Sequence, residues 1–186
     1  ARTLANILKA PLFNSSYTRL VCDLNRSCHN PSLFSEFTRD LAHDEKERIL
    51  KAYYFPHRMM VESAIQRSVK RKRPVIHIGI HTFTPSLDGR QRKADIGFLY
   101  DPQRSLEKEF CLLWQRSLMG IEGHLRVRRN YPYRGESDGF PNHFRRIYPE
   151  SVYTGIELEV NQRFYLAGPK EWNRVKKALV KSLEWS

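Results

Sequence analysis

Pro74-Val75-Ile76-His77-Ile78-Gly79-Ile80-His81-Thr82-Phe83-Thr84-Pro85 is a β-branched run closed by proline at both ends and too short for an ordinary helix. It reads as a strand that ends in a polar turn and delivers His81 to a site. At a strand period of two, His77, Gly79 and His81 share one face, and both imidazoles point the same way. An isolated histidine in such a run is more simply a hydrogen-bonded core group, so the weight given to His81 depends on the rest of the chain.

Downstream, residues 86–92 form a mostly polar loop, and residues 95–100 are a second strand candidate. Residues 105–118 carry a helical pattern with Leu106, Phe110, Leu113 and Trp114 inward. Leu125 and Val127 alternate with His124, Arg126 and Arg128 in a further strand, which exits into Arg129-Asn130-Tyr131-Pro132-Tyr133-Arg134-Gly135. That loop is rich in groups that bind carboxylates, since a guanidinium presents a planar donor fork. Residues 155–165 are the last strand, with Glu157, Glu159 and Asn161 on one face and Ile156, Leu158 and Val160 on the other. Two carboxylates on one strand face of a basic protein call for a reason. Gly168-Pro169 opens a closing helix whose Trp172, Val175, Leu179 and Leu183 form a core stripe.

Upstream, residues 1–10 read as an amphipathic helix stopped by Pro11 and packed on the sheet, and residues 17–23 as a strand feeding Asp23-Leu24-Asn25-Arg26. A helix with Asp44 as N-cap and Glu47 three residues on runs to about residue 70, kinked or split by Pro56, which displays His57 and Arg58. Strands alternating with helices over 186 residues predict an α/β fold: one domain over residues 1–186, with a mixed, mostly parallel sheet flanked by helices.

Composition narrows the function classes. Lys plus Arg number 32 against 20 Asp plus Glu, for a formal charge of +12, which favours anionic ligands. The compact basic run Lys70-Arg71-Lys72-Arg73 reads as a solvated connection, and base-stacking motifs of RNA-binding modules are absent. A polyanion-binding module is the competing class, but it gains nothing from Glu157 and Glu159. Three cysteines, Cys22, Cys28 and Cys111, make neither a disulfide framework nor a paired metal spacing, which fits a cytoplasmic protein. No apolar run approaches the ~18 residues of a membrane helix.

Four segments taken in order resemble the N-formylglutamate amidohydrolase family: Asp23-Leu24-Asn25-Arg26, His81-Thr82-Phe83-Thr84-Pro85, the loop from Asn130 to Gly135, and Leu158-Glu159-Val160-Asn161-Gln162. The resemblance implies a zinc-carboxypeptidase-like, aspartoacylase-related hydrolase fold and a single zinc ion that serves hydrolysis of N-formylglutamate or a related small acidic N-acyl amino acid. It implies His81 as a metal ligand and Glu159 as the carboxylate that moves the water's proton, with Glu157 the competing choice. Asn25 and Arg26 match the pair that holds a substrate carboxylate, and Arg19 matches an arginine that polarises the scissile carbonyl. Asn130, Tyr133 and Arg134 would wall the amino-acid side of the pocket, and His57 matches a helical histidine of the family.

The chain departs from that pattern twice. Relatives carry an acidic residue two positions before the strand histidine, where this chain has Gly79. The other two metal ligands belong to a segment expected before Ala1, so the domain reads as N-terminally incomplete. An acyl-amino-acid-binding pseudoenzyme is the alternative reading that follows.

Overall fold

In the computed structural model, which describes residues 1–184, the proline-bounded run forms β1, Val75–Phe83. It pairs in parallel with β6, Tyr153–Asn161, and the register sets His81 beside Glu159 and Gly79 beside Glu157. The main sheet has the order β1-β6-β4-β5, where β4 is Ile96–Leu99 and β5 is Val127–Arg129. β4 is antiparallel to β6 and parallel to β5, so the sheet is mixed and mostly parallel. Beyond the end of β1, β2 (Ser86–Leu87) and β3 (Arg90–Gln91) form a hairpin. Asp88 and Gly89, with φ of 50° and 72°, supply the left-handed turn such a hairpin needs.

All nine residues of β6 are buried, yet its two faces differ in chemistry. Ile156, Leu158 and Val160 enter the main core with Ile96, Phe98, Trp114, Val175 and Leu179, under helices α4 (Ser105–Ile121) and α7 (Pro169–Lys181). The alternate residues, Tyr153, Glu157 and Glu159, face the other side. One end of that side is filled by a second cluster, in which Val61 and Ile65 of α3 (Phe55–Lys70) meet Phe140 and Phe144 of α5 (Phe140–Arg145) around Tyr153. The remainder carries carboxylates and histidine. A sheet apolar on one face and ionisable on the other is the frame for the site. Among the described residues no helix is long and apolar enough to cross a membrane.

Several local expectations are corrected. Residues 17–23 are turns, because side chains capture the backbone first. Val21 N donates to Thr18 O, while Thr38 and Ser35 donate their hydroxyls to the carbonyls of Val21 and Leu20. The first helix, α1 (Arg2–Ile7), is shorter than residues 1–10, and it rests on α7 rather than on the sheet, with Leu4 reaching the core. α2 (His43–Ile49) starts after Ala42, whose N–H donates to the Glu45 carboxylate, so the capping acid is Glu45 and not Asp44. Pro56 neither splits nor sharply ends the helix. A π turn over Leu50–Tyr54 widens the ladder just before it, joining α2 to α3.

In α4, Leu106 and Leu113 are exposed, and the inward stripe is Glu107, Cys111, Trp114 and Leu118. The stripe shifts by one position because Glu107 has buried partners: it accepts from Arg145 Nε, Gly155 N and Asp101 N at 3.0, 3.0 and 2.9 Å. The last strand stops at Asn161, whose side chain accepts from Arg163 N and turns the chain into the short helix α6, Arg163–Leu166.

Candidate active site

The site lies where β1 and β6 approach their carboxyl ends, the usual place for ligands on an α/β sheet. His81 Nε2 faces Glu157 Oε1 at 3.5 Å. The same oxygen accepts a 2.7 Å hydrogen bond from Asn25 Nδ2, and Asn25 Oδ1 accepts from Phe140 N at 2.8 Å. Burial alone would raise the Glu157 pKa, but the bonds from His81 and Asn25 hold it below the usual carboxylate value. Burial would likewise lower the His81 pKa, and Glu157, helped by Glu159 and Asp23, carries it above the ordinary value instead. Glu157 and His81 therefore each favour the other's charged form, and Asn25 anchors the carboxylate between them.

Glu159 is the opposite case. Burial, reinforced by the neighbouring Glu157 charge, pushes its pKa up to about 7, against the opposing charges of His81, Arg19 and Arg92. Among the described residues its buried Oε2 has no hydrogen-bond partner. An unpartnered carboxylate that gains and loses a proton near neutrality is suited to general acid–base work.

The turn at residues 23–27 is held in place by the helix opposite. Tyr54 OH and Arg58 Nη1 donate to Arg26 O at 2.8 and 3.1 Å, and the Arg58 guanidinium stacks 3.8 Å from the Phe140 ring centroid. Asp23 accepts from Arg19 at 2.6 Å and lies 3.6 Å from Arg26 Nε. Arg26 Nη1 also donates to Asp138 O, and the Asp138 carboxylate accepts from Ser27 and Asn30. Arg19 stays mostly exposed at the rim. The structure thus brings Arg19, Asn25, Arg26, His81, Glu157 and Glu159 into one region.

The loop from residue 130 divides. The Asn130 side chain accepts from Tyr100 N and Gly135 N, which folds the loop, and the residue borders a separate cleft of about 550 Å³ with Lys108, Arg128 and Arg129. Arg134 points outward beside Glu136. Tyr133 is exposed, and its hydroxyl accepts from Arg92 at 3.1 Å. The Tyr131 carbonyl sits so close over β4 that a Cβ on Gly97 would meet it at 2.0 Å, so only glycine lets this loop down beside Glu159.

His77 does not join the site chemistry. Its Nδ1 lies 2.7 Å from Tyr153 OH among Phe140 and Phe144, and burial pushes its pKa down to about 4. His57 packs near Phe140, with burial lowering its pKa. Arg92, Asp138, Tyr54 and Arg58 were not singled out from sequence as site residues, and only the Pro56 break hinted at Arg58.

Among the described residues no group of three His, Cys, Asp or Glu side chains is arranged to hold a metal ion. His81 offers one imidazole, and its near neighbours are a carboxylate already bonded to Asn25 and one that is orphaned. These residues do not by themselves complete a zinc site.

The model of the family described as N-formylglutamate amidohydrolase matches residues 1–166. A crystal structure of a gene product from Agrobacterium tumefaciens is similar at 27% identity with a TM-score of 0.73, covering 98% of this chain and 74% of that one. The N-formylglutamate amidohydrolase of Ralstonia eutropha shares the fold at 17% identity and a TM-score of 0.70, over 91% of this chain and 73% of that one. No curated protein matches the chain.

Proposed function

The chain belongs to the N-formylglutamate amidohydrolase family, and from that premise we propose that it hydrolyses the amide of N-formylglutamate or a closely related N-acyl amino acid. The observation that carries this reading is Glu159: a buried carboxylate with an unpartnered oxygen and a pKa near 7, beside His81 at the end of the central strands.

In this reading Glu159 accepts a proton from the attacking water and returns it to the departing amine, which a group titrating near neutrality does in both directions. Glu157 does not compete for that role, because Asn25 and His81 already hold its carboxylate charged. Its part is to orient His81. Arg19 at the rim stabilises the oxyanion that develops on the scissile carbonyl. Arg26 holds a substrate carboxylate, and the second amide hydrogen of Asn25 points the same anion into register. Tyr133 closes the wall opposite, with Asn130 shaping the loop behind it and Arg134 contributing positive potential at the mouth.

Zinc is proposed as cofactor from the family resemblance, with His81 the ligand this chain contributes. Because the described residues do not supply a full ligand set, no step above is routed through the metal. The test is formate and glutamate release from N-formylglutamate by the purified protein, before and after chelation and with zinc restored, beside zinc stoichiometry for wild type and His81→Ala. Release of formate and glutamate is expected, and release that falls on chelation together with any bound zinc that His81→Ala loses would assign the metal to His81. Tight binding of N-formylglutamate without release under any condition would replace this reading with a non-catalytic binder.

A further inference from the structure

Arg92 is a half-buried arginine whose guanidinium is held by aromatic rings and a hydroxyl rather than by a carboxylate among the described residues. Its backbone is fixed at both ends: the N–H donates to Pro85 O at 2.8 Å, and the carbonyl accepts from Asn161 Nδ2 at 3.3 Å. These contacts tie it to the foot of the β2–β3 hairpin and to the end of β6. The guanidinium lies 5.1 Å from the Tyr133 ring centroid and 5.9 Å from that of Phe83, and Nη1 donates to the Tyr133 hydroxyl. Two aromatic walls and one hydroxyl use little of its five-donor fork. Among the described residues it forms no ion pair with Asp or Glu, while it stands within electrostatic reach of Glu159.

Its position relative to Arg26 matters. Arg26 and Asn25 are anchored beside Glu157, whereas Arg92 is anchored beside Asn161, so Glu159 lies between the two along β6. Glu157 and Asn161 are separated by about 13 Å of strand, at ~3.3 Å per residue. Arg26 already has Asp23 and the Asp138 carbonyl for company, but Arg92 has a guanidinium edge left to offer.

We propose that Arg92, backed by Phe83 and positioned by Tyr133, is the specificity-determining residue that reads the side-chain carboxylate of an acidic N-acyl amino acid, at a point separate from Arg26. The inference rests on the amidohydrolase reading for its ligand class. Arg92 recognises the side-chain carboxylate while Arg26 takes the other, and the carboxylate fits a guanidinium edge bidentately. Tyr133 acts through Arg92 as a positioning residue.

The experiment is calorimetric binding of N-formylglutamate and of its neutral isostere N-formylglutamine to the full chain, for wild type, Arg92→Gln, Arg92→Lys and Tyr133→Phe. Formate release is followed separately on both compounds. Wild type is expected to bind the glutamate compound about tenfold or more tighter. Arg92→Gln should bring the two affinities together, Arg92→Lys should keep part of the preference, and Tyr133→Phe should narrow it. Equal binding of both compounds by wild type, or an undiminished preference in a folded Arg92→Gln, overturns the subsite. Formate release from both compounds without discrimination would leave the hydrolase reading intact and sink only the subsite. Discrimination in binding without any release would do the reverse.

Discussion

Asn25 and Glu157 stand 132 positions apart in sequence and are joined by a 2.7 Å hydrogen bond from Nδ2 to Oε1. That bond ties the turn at residues 23–27 to the central strand, and the bond from Phe140 N to Asn25 Oδ1 ties both to α5. Asn25→Ala strands a buried carboxylate oxygen and a backbone N–H together, a loss of about 2–4 kcal/mol. Asn25→Asp, nearly the same shape, places two carboxylates together and is expected to cost at least as much at neutral pH. Urea denaturation measures both. An Asn25→Asp protein as stable as wild type would show that this bond does not hold the site.

The His77–Tyr153 pair predicts a specific loss of stability in acid. His77 has a folded pKa near 4 against an ordinary value of 6.5, so below 6.5 the unfolded chain binds a proton that the folded chain refuses. Stability contributed by neutral His77 is fully present above 6.5, falls as pH drops from 6.5 to about 4, and is gone below that. The full swing is about 3 kcal/mol at 1.36 kcal/mol per unit. Burial is the cause, with Glu157 opposing it and His81, Arg145 and His57 adding to it. His77→Gln keeps a partner for the Tyr153 hydroxyl and removes the titration. Urea midpoints at pH 7.5 and 4.5 should therefore differ less in the variant than in wild type, and equal differences would refute the assignment.

Glu107 is the buried counterion that organises the second side of the molecule. Its carboxylate pairs with Arg145 Nη2 at 2.9 Å, and Arg145 in turn donates to the carbonyls of Gly135 and Gly155. Glu107→Ala leaves a buried guanidinium without its countercharge, a loss of about 3–5 kcal/mol. Thermal melting checks this, and a shift of a degree or less would mean that the charge is not confined.

Much of the frame was legible in the sequence because it is written in local pattern. The proline-bounded run at residues 74–85 and the alternation of Glu157 and Glu159 with apolar residues gave the two strands that carry the site. The seventeen residues or more that separate Thr38 from its target Val21 hid the turn at residues 17–23, since a β-like pattern says nothing of a distant hydroxyl. Helical periodicity places a glutamate outside by default, so it could not show that Arg145, 38 positions later, draws Glu107 inward. Arg92 was hidden in the same way, because Tyr133 and Glu159 reach it from other elements. The Gly79 departure also gains a physical reason: a Cβ there would meet His81 Nε2 at 3.2 Å and Glu157 Cγ at 3.3 Å. Glu157 delivers a carboxylate to His81 from the neighbouring strand and fills the space that a side chain at position 79 would need.

The central claim is that Glu159 moves the proton in amide hydrolysis, and formate release from N-formylglutamate by wild type and Glu159→Gln tests it most directly. Glutamine keeps the shape but cannot exchange a proton, so the account predicts a fall in kcat of about 10²–10⁴ with an unchanged melting profile. Turnover by a folded Glu159→Gln within a few-fold of wild type would contradict it.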